Sequence, residues 1–201
     1  MELRKIHDWA SRGMAARRGA ALASLALVAA LGCGPSPDNF PDEHVDIAIA
    51  SDESGGGSLA ADYDFDEPIE VFESAMIGGF TLWSGADPGF EMLESDEPDE
   101  GFYALEDGVT VSLEIVALDP AAQFKFGEVT LDEPGDSVVL GTTPELHGHG
   151  EWQLVLPEGV DTGSYELSFR FTTTSAQYSA SPSATVTITP TEGEDHDHDE
   201  E

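Results

Sequence analysis

Gly163-Ser164-Tyr165-Glu166-Leu167-Ser168-Phe169-Arg170-Phe171 carries the clearest two-residue period in the chain. Tyr165, Leu167, Phe169 and Phe171 fall on one side of an extended backbone and Glu166, Ser168 and Arg170 on the other. Strict alternation of this kind marks a half-buried strand, with one face on a core and the other in water. Val109-Thr110-Val111-Ser112-Leu113-Glu114-Ile115-Val116 repeats the pattern, and Ala184-Thr185-Val186-Thr187-Ile188-Thr189 supplies a last strand. Outside the first 32 residues no segment has a helical period. About eight to ten short strands, punctuated by Asp, Gly and Pro, predict an all-β fold. The expected architecture is a single antiparallel β-sandwich, immunoglobulin-like, over residues 44–189.

Working outward, His44-Val45-Asp46-Ile47-Ala48-Ile49 reads as the first strand, with His44 and Asp46 on one face. Residues 51–58, with Gly55-Gly56-Gly57, read as a flexible loop. Ile69 to Phe72, Phe80 to Trp83, Phe102 to Leu105, Gln123 to Thr130 and Ser137 to Leu140 are further strand candidates. Asp62, Asp64, Asp66 and Glu73 stand at positions 1, 3, 5 and 12 of a calcium-loop spacing. Glu67 occupies the glycine position of that pattern, Pro68 follows, and no helices flank it, so the spacing predicts no calcium loop.

The N-terminus has a different logic. Arg4, Lys5, Arg12, Arg17 and Arg18 precede a short apolar run from Ala20 to Leu31, which predicts a signal peptide over residues 1–32. Ala30-Leu31-Gly32-Cys33 resembles a bacterial lipobox, in which the cysteine is diacylated and becomes the first mature residue. Residues 33–43 are then a tether. Cys33 is the single cysteine, so no disulfide framework is available. With Gly34 after it, the expectation is a lipid-anchored cell-envelope protein of the outer membrane.

Removing residues 1–32 leaves Lys125 and Arg170 against 39 carboxylates, a net charge of −37. Such a surface repels nucleic acid and anionic headgroups and gathers cations. Residues 190–201 are acidic and have no large apolar side chain to bury, which predicts a disordered tail; its His196-x-His198 reads either as a secondary metal ligand or as part of a merely solvated acidic tail.

The chemically pointed stretch is Leu146-His147-Gly148-His149-Gly150-Glu151-Trp152, at the entrance of an apolar strand running to Leu156. Residues i and i+2 of a strand share a face, so His147 and His149 can turn two imidazoles to one ion. Zinc prefers imidazole, and with no free thiol the ligand set would be His44, Asp46, His147 and His149. The competing reading has the two histidines bonding a turn, with Gly148 and Gly150 supplying unusual backbone angles. Trp152 reads as core.

His44-Val45-Asp46, Asp87-Pro88-Gly89-Phe90, His147-x-His149-x-x-Trp152 and Gly163-x-Tyr165-x-Leu167, in this order, resemble a group of secreted or surface-anchored bacterial proteins. Members carry an Asn-Pro-Gly-Phe-like turn where Asp87 stands here, and many end in a sorting signal rather than a lipobox. Some are repressed by the zinc-uptake regulator or accompany zinc or manganese transport genes. The resemblance therefore implies zinc-linked physiology and a metal-transport system as partner.

His-Glu-x-x-His, a nucleophile elbow and a phosphate loop are all missing, so no enzyme is expected. The expectation is a divalent-metal-binding lipoprotein. Its alternative is a non-catalytic surface adhesion or structural module with incidental histidines.

Overall fold

The computed structural model describes residues 46–192, all within one compact unit. Cys33, His44, His196 and His198 lie outside these residues, as do the segments read above as signal peptide and tether and nearly all of the segment read as a tail. Among the described residues there is no helix, and the secondary structure is β throughout.

Fourteen strands follow in order: β1 (Ile47–Glu53), β2 (Gly56–Asp62), β3 (Ile69–Ile77), β4 (Phe80–Gly85), β5 (Phe90–Met92), β6 (Thr110–Leu118) and β7 (Ala122–Phe126). Then come β8 (Val129–Leu131), β9 (Ser137–Thr142), β10 (His147–Gly148), β11 (Glu151–Pro157), β12 (Tyr165–Thr173), β13 (Tyr178–Ser179) and β14 (Ala184–Thr191). They form a five-stranded sheet in the order β10-β5-β1-β2-β13 and a nine-stranded sheet in the order β8-β7-β11-β4-β3-β14-β12-β6-β9. The two sheets enclose one core in a sandwich-like arrangement.

The alternation read from the sequence is the alternation of burial. Leu167, Phe169 and Phe171 of β12, Val111, Leu113 and Ile115 of β6, and Val186 and Ile188 of β14 are all buried. Phe90 links the sheets: from β5 it meets Phe124, Trp152 and Phe171 of the larger sheet with ring centroids 5.8–6.0 Å apart. Trp152 is fully buried against Phe124 at 4.7 Å, as expected of a core residue.

Several expectations are corrected. The sheets are mixed: β1 with β5, β2 with β13 and β3 with β14 pair in parallel. Alternation reports which face is wet, and it carries no information on partner or direction. Gly55-Gly56-Gly57 is no loose loop; Glu53 pairs directly with Gly56, and Gly55 takes the positive φ of 72° that closes the β1–β2 hairpin. Gln123 to Thr130 is two strands, folded back at Gly127 with φ 58°. Phe102 to Leu105 makes only isolated bridges, Tyr103 to Ser51 and Phe102 to Glu97. The first strand starts at Ile47, leaving Asp46 at its mouth.

Candidate metal centre

The site grows from the end of the smaller sheet where β10, β5 and β1 run side by side. Ile47 pairs with Phe90, and Gly148 pairs with Phe90 from the other side. One step along, Asp46, Gly89 and His149 therefore form a row on the face opposite the core. His147, paired with Glu91, shares that face. Asp46 is fixed by its neighbours: its Oδ1 accepts from the Gly89 N–H at 2.9 Å, and the Ile47 N–H donates to the Gly89 carbonyl at 3.0 Å.

The free oxygen of Asp46 faces both histidines. Oδ2 stands 3.8 Å from Nδ1 of His147 and 3.9 Å from Nε2 of His149, while the two imidazole centroids are 5.3 Å apart. One donor atom from each of Asp46, His147 and His149 lies within 4.8 Å of the others, so the group can hold a metal ion. With two sides of 3.8 and 3.9 Å and a third no longer than 4.8 Å, a point equidistant from the three donors sits no more than about 2.5 Å from each, near Zn–N and Zn–O bond lengths. Small rotations of two exposed imidazoles close the remaining gap.

Asp87 completes the surroundings. Its Oδ1 is 3.7 Å from Nδ1 of His149, on the side of the ring away from Asp46. A carboxylate behind a metal-binding imidazole orients the ring and selects its tautomer. The Asp87-Pro88-Gly89 turn is itself anchored to the core, because the indole N–H of Trp152 donates to the Pro88 carbonyl at 3.0 Å. The Asp87–Pro88 peptide is cis. The motif that the sequence offers only as a compact turn thus holds the floor and one wall of the site.

Three of the four expected ligands converge, and the fourth, His44, lies outside the described residues. The histidine pair does not open the strand that carries Trp152. His147 and Gly148 belong to the five-stranded sheet and Glu151 begins a strand of the nine-stranded one, so the chain crosses between sheets at His149-Gly150. Nor do Gly148 and Gly150 supply unusual angles, since neither has a positive φ. They are glycines because the crossing runs over aromatic rings. A Cβ on Gly148 would stand 3.0 Å from the Phe126 ring, and one on Gly150 would run into the Phe124 ring and come 2.9 Å from the Lys125 carbonyl.

Asp62 joins neither Asp64, Asp66 nor Glu73. It lies with Glu97 and Glu100 in a second acidic group, while Asp64 accepts from the backbone of Asp66 at 3.0 Å. Near the first site, Tyr63 has its phenol pKa raised, by burial first and then by the carboxylates of Glu67, Asp64 and Asp87. Sequence reading missed Asp87 and Gly89 as site residues. The available signal was the Asp-Pro-Gly-Phe turn itself, whose partner strand could not be read from the chain.

No family model, curated protein or solved structure matches this chain.

Proposed function

We propose that this protein binds a divalent metal ion, zinc by the chemistry of its donors, at Asp46, His147 and His149. The observation that carries the reading is the convergence of one carboxylate and two imidazoles, from segments about 100 residues apart, around a single point. Nitrogen-rich donor sets suit zinc, whereas calcium and magnesium take oxygen ligands. His44, two residues before Asp46, is a candidate fourth ligand.

The openness of the site bears on its use. His147 is 62 % exposed and His149 40 %, at the edge of the sheet. A structural zinc is enclosed by its four ligands; an ion held here keeps solvent on one side and exchanges readily. That suits capture and hand-over, and the −37 charge of the mature chain raises the local cation concentration around it. With Cys33 lipidated, the immunoglobulin-like domain would hang from the outer membrane, and His196 and His198 would extend its reach for ions. A metal-transport system is the corresponding partner. This is a binding role, with no enzymatic step.

Zinc titration of the full chain by calorimetry, beside the His147→Ala/His149→Ala variant, tests the reading. One tight site lost in the variant supports it; unchanged affinity sinks it. The alternative of a surface adhesion module has its own observation: Phe72, Ile77, Phe80 and Val155 leave apolar surface exposed on neighbouring strands β3, β4 and β11. A module of that kind carries no stoichiometric zinc when purified without chelator.

A further inference from the structure

A second cleft, of about 340 Å³, shares no residue with the metal centre. Glu73 of β3, Thr81 and Trp83 of β4, Gly159, Val160 and Asp161 of the β11–β12 loop, and Glu192 after β14 line it. The loop is held in place by the Glu158 N–H donating to the Gly79 carbonyl and the Val160 N–H donating to the Pro157 carbonyl, both at 3.0 Å. The volume falls in the range of small-molecule sites.

Two features give this cleft a chemical preference. Trp83 is only 3 % exposed, and its indole Nε1–H is the one buried side-chain donor or acceptor among the described residues with no protein partner. A buried N–H without an acceptor is costly, and an incoming oxygen relieves that cost. The lining also holds three carboxylates and no basic side chain. Nor can the rest of the domain neutralise them: Lys125 is paired with Glu151 at 3.0 Å and Arg170 with Glu114 at 2.7 Å, and these are the only Lys and Arg among the described residues. With both of these cations already paired, the cleft keeps its negative charge and favours a positively charged guest.

We propose that this cleft binds an organic cation bearing a hydrogen-bond-accepting oxygen, such as a lysine or arginine residue of a peptide. The ammonium or guanidinium group sits among Glu73, Asp161 and Glu192, whose carboxylates supply its counter-charge. A carbonyl oxygen of the ligand accepts the Trp83 Nε1–H. A bare metal ion fits less well, because these three carboxylates are not among the groups whose donor atoms lie close enough to share one ion.

The test is titration of the full chain, labelled with ¹⁵N at tryptophan, with N-acetyl-lysine methylamide. The Trp83→Phe variant identifies the Trp83 indole N–H resonance. That resonance is expected to move saturably while the Trp152 N–H, already bonded to Pro88, stays in place. Glu73→Gln with Asp161→Asn should weaken binding about tenfold, the scale of a lost charge-assisted hydrogen bond. The His147→Ala/His149→Ala variant should bind the probe as before, which separates this site from the metal centre. The inference is overturned if no saturable shift occurs, if the neutral ε-acetylated analogue binds equally well, or if calcium chloride at the same ionic strength reproduces the shift.

Discussion

Gly89→Ala probes how the proposed metal centre is built, because it adds one methyl group and removes none of Asp46, His147 and His149. A Cβ at this position would stand 2.5 Å from Nδ1 of His149, 2.7 Å from its Cε1 and 2.8 Å from Oδ1 of Asp46. Ordinary contact begins near 3.4 Å, so the imidazole must retreat by about 0.9 Å and the carboxylate by about 0.6 Å. Metal–ligand distances tolerate only about 0.2 Å, so these shifts break the common point between the donors. The two groups do not yield equally. His149 is partly exposed and can swing into solvent, whereas Asp46 is nearly buried and tied to the backbone of residue 89 itself. The fold should therefore survive, losing about 1 kcal/mol, while zinc affinity falls by about 10- to 100-fold or more. Calorimetric zinc titration together with thermal melting of the metal-free protein reads both effects. Wild-type zinc affinity in a folded Gly89→Ala protein would refute the site geometry.

Other expectations follow from neighbouring contacts. Gly150→Ala forces a methyl into the Phe124 ring and the Lys125 backbone, so overpacking should cost about 1–3 kcal/mol and lower the melting temperature by roughly 2–12 °C. Asp87→Ala removes the carboxylate 3.7 Å from Nδ1 of His149 and should reduce zinc affinity about tenfold, while Asp87→Asn, which loses the charge but keeps a polar side chain of the same shape beside the ring, should fall between that variant and the wild type. For Tyr63, the folded protein holds the phenol proton more tightly than the unfolded chain does. Its contribution is complete below about pH 10 and is lost as pH rises through the elevated folded value. Tyr63→Phe should therefore flatten the alkaline loss of stability, measured as the change in melting temperature between neutral and strongly alkaline buffer; an unaltered loss counts against the assignment. Because ligating imidazoles must be neutral, zinc affinity should fall on acidification, seen as proton release on binding in calorimetry with buffers of different ionisation enthalpy.

How far the chain could be read differs between levels. The two-residue period of residues 165–171 and 109–116 reports burial directly, because every second side chain of a strand meets the same medium, and Leu167, Phe169, Phe171, Val111, Leu113 and Ile115 are buried accordingly. The His-x-His spacing likewise places two imidazoles on one face, and their centroids stand 5.3 Å apart. Local rules of this kind depend on a few consecutive residues, so the sequence by itself determined the all-β class, the core face of each long strand and the pairing of His147 with His149. It could not determine which strands are neighbours. Parallel placement of β5 beside β1 brings residues 46 and 89 together, and β10 on the far side of β5 adds His147 and His149. Those contacts join segments separated by dozens of residues, and they are chosen by the packing of Phe90 and Trp152 across the core rather than by any nearby residue. Only the tertiary structure therefore decided that Asp46 meets the histidines, that Asp87 stands behind one of them, and that a Cβ at position 89 would press on both Asp46 and His149.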